Sequence, residues 1–293
     1  MTQIISALSE ISDNYDALFV DLWGCVHNGV TAYAEAVAAL RAYRGGGGAV
    51  VLVTNSPRAR DRVERQIDRF GVPRDCWDTI ATSGDSARAA MFRGAVGRKI
   101  YFIGQDSDLK FFEPLKLLDD PVEVARVPLE EAEGIVCAGP FDPMADLDAL
   151  RPDLLYAKQK GMKLLCANPD IVVDRGDHRE WCAGAVARMY TEMGGESLYF
   201  GKPHPPIYDL AYRRLAALGR DGGGGAGARI LAIGDGAQTD IAGAMGENLD
   251  SLFISGGLAA GPTKTSHQPD EEALNAYLET ENIAPTYTIG QLR

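Results

Sequence analysis

The chain has 293 residues, 46% of them hydrophobic and 24% charged, and its 29 Lys and Arg against 41 Asp and Glu give a net charge of −12. The length calls for two domains, and the acidic balance offers no basic stripe for nucleic acid or for an anionic membrane surface. No stretch is long and apolar enough to span a bilayer, and the first sixteen residues lack a signal peptide's basic start and apolar core. A cytoplasmic protein with reduced thiols is therefore expected.

Taken in chain order, the apolar run Ala17–Val20 reads as a buried strand and ends at Asp21. A carboxylate is thereby placed where a strand meets a loop. Ala49–Val53 reads as a second strand, ending at Thr54. Ser56-Pro57 then reads as a helix start, with serine as N-cap and proline in the first turn, so that backbone N–H groups beside Thr54 form an anion seat. Val63, Ile67 and Phe70 recur at helical spacing. The segment 84–198 carries an alternation of its own: Lys99–Ile103, Gly134–Ala138 and Met162–Ala167 as strands, with a helix inside Asp142–Lys160. It reads as an inserted α/β domain that acts as a lid, leaving a core built from 1–83 and 199–293. Ser197–Phe200 reads as a buried strand before Lys202. Ile207, Leu210, Ala211, Leu215 and Leu218 mark a helix, and Arg229–Ile233 a strand before Asp235.

Alternating strands and helices predict a parallel, doubly wound (Rossmann-like) sheet, in which ligands bind at the carboxyl ends of the strands. The clusters at Asp21, Thr54, Lys202 and Asp235 are then expected to converge. The glycine runs Gly45–Gly48 and Gly222–Gly225 each follow a helix and precede a strand, the reverse of a phosphate-cradling loop, and read as connections. The five cysteines form no CxxC pair. Cys25 reads as a small buried filler.

Two carboxylates such as Asp21 and Asp235 suit a hard divalent cation, namely Mg²⁺. Lys202 supplies a balancing charge and the Thr54 hydroxyl a phosphate contact. An aspartate attacking phosphorus would give an aspartyl phosphate that water hydrolyses.

These residues resemble the haloacid dehalogenase (HAD) superfamily, in particular its class IIA, NagD-like and 4-nitrophenylphosphatase-like sugar phosphatases. The motifs are Phe19-Val20-Asp21-Leu22-Trp23-Gly24, Val53-Thr54-Asn55-Ser56, Gly201-Lys202-Pro203, and Gly234-Asp235 with Thr239-Asp240-Ile241. Cys166-Ala167-Asn168-Pro169-Asp170 resembles the signature of the class II cap domain. The resemblance implies a HAD core with an inserted α/β cap. It makes Asp21 the nucleophile, with Asp235 and the backbone carbonyl of Trp23 joining it on Mg²⁺. Thr54, Asn55 and Lys202 would hold the phosphate, and Asp240 would brace Lys202 or the metal shell. Asn168, Asp170 and Arg175 are the candidates for substrate selectivity.

Trp23 stands where most phosphatases of the superfamily carry a second aspartate as general acid and base. Three readings stay open. The first is a phosphatase of a small phosphorylated metabolite, with His27 the nearest substitute acid or else a surface hydrogen-bonding residue. The second is a catalytically weak phosphometabolite-binding or regulatory protein. The third is a hydrolase of a halide or other bond, against which Asp235 and Asp240 argue. His204 reads as shaping a turn before a helix. The oligomeric state stays open, with a homodimer among the alternatives.

Overall fold

The computed structural model describes residues 2–113, 120–175, 178–219 and 227–293. The Gly222–Gly225 run lies outside these residues, as does the side chain of Arg175. The chain divides into two compact units. The first comprises 1–54, 61–81 and 202–293, and the second 55–60 and 82–201.

The first unit is built on a seven-stranded sheet. Its spatial order is Gln3–Ile4, Tyr287–Ile289, Asp250–Ile254, Ile230–Gly234, Ala17–Val20, Ala49–Thr54 and Thr79–Thr82. Pairing is parallel from the Gln3–Ile4 edge through Ala49–Thr54. Side chains alternate between the two faces of a strand. Leu18, Val20, Val50 and Leu52 accordingly pack with Leu40 of the Ala34–Gly45 helix and with Val63 and Ile67 of the Arg60–Arg69 helix. On the opposite face Phe19, Val51 and Val53 pack with Ile207, Ala211 and Leu215 of the Pro205–Ala216 helix. Because both faces are covered, every residue of Ala17–Val20 and Ala49–Thr54 is buried, and the strands read as unbroken apolar runs. This is a doubly wound α/β fold.

The second unit carries a five-stranded sheet ordered Glu196–Tyr199, Lys163–Cys166, Gly134–Cys137, Lys99–Ile103, Ala125–Arg126, with parallel pairing throughout. One face packs on Leu154 and Ala157 of the Arg151–Gln159 helix and on Val186 and Tyr190 of the Ala183–Glu192 helix. The other packs on Ala87 and Met91 of the Ser83–Met91 helix. An antiparallel hairpin, Val172–Arg175 with His178–Trp181, follows the Asn168-Pro169-Asp170 turn.

Two local expectations are corrected. The helix after Thr54 begins at Arg60, so Ser56 is not its N-cap and Pro57 is not in its first turn. The Ser56 carbonyl accepts from Gly84 N–H at 3.0 Å, while the Ser56 hydroxyl accepts from Arg58 N–H at 3.3 Å. A Cβ on Gly84 would meet the Pro57 carbonyl oxygen at 2.1 Å, so residues 56–58 are docked on the Ser83–Met91 helix in a non-helical path. The strand before Lys202 is also not a buried strand of the first sheet. Glu196–Tyr199 is the edge of the five-stranded sheet, with one exposed and three half-buried residues. Gly45–Gly48 links the Ala34–Gly45 helix to the amino end of the Ala49–Thr54 strand, the end opposite Thr54.

Candidate active site

The Ala17–Val20 strand delivers Asp21 to the carboxyl edge of the first sheet, where Asp21 N–H donates to the Ile233 carbonyl of the neighbouring strand at 2.8 Å. The chain then curls tightly. Val26 and His27 N–H both donate to the Leu22 carbonyl, at 2.9 and 3.1 Å, and Gly24 N–H donates to the His27 carbonyl at 2.9 Å. Ile230–Gly234 delivers Asp235 to the same edge, and a π-turn over Ala237–Ile241 carries Asp240 back toward it.

Lys202, 3% exposed, ties these together. Its Nζ donates to Asp21 Oδ1 at 2.5 Å, to Asp240 Oδ1 at 2.7 Å and to the Val53 carbonyl at 2.9 Å. Asp240 Oδ2 accepts from Gly236 N–H at 3.1 Å, which fixes the carboxylate that fixes the lysine. The Lys202-Pro203 peptide bond is cis. Thr54 is buried at the end of its strand, next to the residue whose carbonyl receives Lys202.

Asp235 is enclosed by backbone. A Cβ on Gly24 would stand 2.2 Å from its Oδ2 and one on Gly257 2.1 Å from the same atom, while Leu258 N–H donates to that oxygen at 3.0 Å. Its Oδ1 accepts no hydrogen bond among the described residues. Three buried carboxyl groups share one ammonium, so ionising all of them would leave two negative charges uncompensated. The consequence appears in the proton affinities of Asp21 and Asp235. Burial, reinforced by Asp21 and Asp240, pushes Asp235 well above the carboxylate range, and burial lifts Asp21 to about 7 against the pull of Lys202. Lys202 keeps its proton: burial disfavours the cation, but the Asp21 and Asp240 carboxylates hold its pKa well above the usual lysine value.

A carboxylate oxygen of Asp21, one of Asp235 and Cys25 Sγ lie within 4.8 Å of one another, all buried. A pocket with two carboxyl groups and an oxygen free of hydrogen bonds fits a hard divalent cation, whose charge would favour the ionised forms that burial opposes.

Of the residues singled out from sequence, Asp21, Lys202, Asp235 and Asp240 are brought together in the first unit. Asn55, Asn168 and Asp170 form a cluster of their own in the second. Asn55 Nδ2 donates to Asp170 Oδ1 at 2.8 Å, and Asp170 N–H donates to Asn168 Oδ1 at 3.0 Å. His27 is not a surface residue. It is 5% exposed, its Nδ1 accepts from Gly29 N–H at 3.0 Å, its ring lies edge-on to Phe70, and burial pushes its pKa down to about 4. A neutral, enclosed imidazole is a poor proton donor at neutral pH. Trp23 is half-buried, with its indole nitrogen 3.0 Å from where a Gly29 Cβ would stand. Sequence reasoning missed Gly257 and Leu258. Their only signal was the apolar run Leu252–Ile254 breaking at Ser255-Gly256-Gly257.

A doubly wound sheet whose carboxyl edge bears a buried aspartate–lysine–aspartate chain with a further aspartate beside it defines the class of protein. The description haloacid dehalogenase-like hydrolase matches residues 18–117, and a HAD-hydrolase-like description matches 199–288. A haloacid dehalogenase-like hydrolase from Brucella suis is 38% identical, with 99% of this chain and 100% of that one covered and a TM-score of 0.83. The chain belongs to the haloacid dehalogenase-like hydrolase family. Two more distant structures share its fold. A possible sugar phosphatase of the superfamily from Cytophaga hutchinsonii is 17% identical, covering 99% and 98%, with TM-score 0.76. The glycerol phosphate phosphatase of Mycobacterium tuberculosis in complex with magnesium is 22% identical, covering 83% and 69%, with TM-score 0.60. No curated protein matches the sequence.

Proposed function

We propose that this hydrolase is a Mg²⁺-dependent phosphatase of a small phosphorylated metabolite, a sugar phosphate among the candidates, acting through an aspartyl phosphate on Asp21. The observation that carries the reading is the buried Asp21–Lys202–Asp240 chain beside Asp235. The fold relatives described as sugar and glycerol phosphate phosphatases, one of them magnesium-bound, support it.

In this reading a carboxylate oxygen of Asp21 attacks phosphorus and the bond from phosphorus to the leaving oxygen breaks. Water then adds to the phosphorus of the acyl phosphate, releasing inorganic phosphate and restoring the Asp21 carboxylate. Lys202, held in place by Asp240, offsets charge on the transferring group. The Thr54 hydroxyl and the Asn55 amide bind phosphate, and Asn168 and Asp170 contribute to substrate binding. Asp21, Asp235 and the Trp23 carbonyl would hold magnesium, which supplies charge neutralisation to the phosphoryl oxygens. Trp23 carries no transferable proton and His27 is enclosed and neutral, so the leaving oxygen takes its proton from water. That favours substrates with acidic leaving groups.

Replacing Asp21 by Asn is expected to lower Mg²⁺-supported turnover of 4-nitrophenyl phosphate by about 10³-fold or more. Retained turnover would end the nucleophile assignment. Absent turnover by the parent protein on a broad phosphate panel, together with stabilisation by a phosphorylated ligand, would replace the enzyme reading with a binding one.

A further inference from the structure

The Asp21–Asp235 centre contains a donor that phosphatase chemistry leaves unused. Cys25 is 1% exposed, and its Sγ shares a 4.8 Å span with one carboxylate oxygen of Asp21 and one of Asp235. The curl after the strand puts it there, since the N–H groups of Val26 and His27 return to the Leu22 carbonyl and turn residue 25 back toward residue 21. Asp235, itself only 4% exposed, keeps Oδ1 free of hydrogen bonds among the described residues. A cavity of about 240 Å³ borders Gly24 and Cys25, with Tyr33, Glu35 and Leu292 on its walls.

Magnesium draws on oxygen donors and has no use for this sulfur. Zinc and its softer relatives take thiolate sulfur and carboxylate oxygen together, and at mixed N, O and S sites they bind more tightly than hard ions. We propose that Asp21, Cys25 and Asp235 form a mixed sulfur–oxygen site for a thiophilic divalent cation, typified by Zn²⁺ or Cd²⁺, that displaces Mg²⁺ and switches the enzyme off. Binding forms a metal–sulfur bond and releases the thiol proton to solvent. The inference rests on the reading of Asp21 and Asp235 as metal ligands, and adds the thiol and the identity of the inhibiting ion.

The test uses the full chain titrated with Co²⁺, whose near-ultraviolet charge-transfer absorption reports thiolate ligation. The expected result is a band that saturates at one equivalent and is erased by Zn²⁺. It should be absent from Cys25→Ser and Cys25→Val proteins that retain the parent circular dichroism. Zn²⁺ affinity should fall at least about tenfold in Cys25→Val. Zn²⁺ inhibition of turnover should be relieved by raising Mg²⁺. Asp235→Asn keeps the thiol and should also lose the band, which gives a check independent of any packing defect at position 25. Co²⁺ binding without a sulfur band, or a band that survives in Cys25→Ser or Asp235→Asn, would overturn the proposal. Asp21-dependent turnover in Mg²⁺ with no sulfur band would end this inference and leave the phosphatase standing. A sulfur band with turnover that survives Asp21→Asn would do the reverse.

Discussion

Trp23 separates this protein's chemistry from the pattern its other residues follow. An acid that protonates the leaving oxygen contributes about 10²- to 10⁴-fold, and the contribution matters most when the leaving group is basic. Trp23→Asp is therefore expected to raise turnover of alkyl phosphates more than that of aryl phosphates, by up to about 10²-fold. An equal loss on both classes would show that the indole, packed across Gly29, is needed for the loop. His27 belongs to the same loop and acts on stability. Its pKa is about 4 in the fold against an ordinary value of about 6.5, so the native state resists a proton that the unfolded chain accepts. The stability due to the neutral ring is complete above pH 6.5 and is lost as pH falls toward 4, by roughly 1 to 3 kcal/mol. Denaturant unfolding of the parent should show this fall, and His27→Gln should flatten it. Equal slopes between pH 6.5 and 4.5 in the two proteins would refute the assignment. Asp21, Lys202 and Asp235 were legible from sequence because each follows or closes a motif with its own chemistry. The buried state of His27 was not, because it depends on Phe70 and Gly29, which no local pattern links to it.

Strands covered on both faces are written as unbroken apolar runs, which is why Ala17–Val20 and Ala49–Thr54 could be read almost to the residue. The strand that precedes Lys202 could not be assigned to a sheet, since the choice of pairing partner is not encoded in Glu196–Tyr199 itself. The Ser56-Pro57 helix start failed for a related reason: a local capping signal lost to the Gly84 N–H and to close packing of residues 56–58 on the next helix. Gly257 and Leu258, in the loop after Asp250–Ile254, offer no reactive side chain, yet with Gly24 they shape the enclosure of Asp235. Gly24 adopts φ +77, and a Cβ there would lie 2.2 Å from the Asp235 carboxylate. Gly24→Ala therefore combines left-handed backbone strain with displacement of the Asp235 carboxylate, a ligand in the proposed magnesium site. It is expected to weaken apparent Mg²⁺ affinity about tenfold or more in turnover assays. An unchanged Mg²⁺ dependence would show that Asp235 does not depend on this enclosure.

Over the whole chain, residues far apart in sequence supply one centre: Asp21 and Lys202 are 181 positions apart and in contact. The strand end supplies Asp21, while Lys202 is brought to it from just ahead of the Pro205–Ala216 helix, which packs through Ile207, Ala211 and Leu215 on the sheet that carries Asp21. The net charge of −12 is no obstacle to the proposed anionic substrate, because the buried Lys202 ammonium, and the divalent cation proposed beside it, would set the local field. The central claim is that phosphorus passes through Asp21. The most direct measurement is borohydride trapping during Mg²⁺-supported turnover of 4-nitrophenyl phosphate, followed by peptide mass spectrometry, since an acyl phosphate is reduced where a free carboxylate is not. The account predicts homoserine at position 21, lost when magnesium is chelated. Continued turnover with Asp21 unreduced, in a protein whose Asp21→Asn variant remains active, would contradict it.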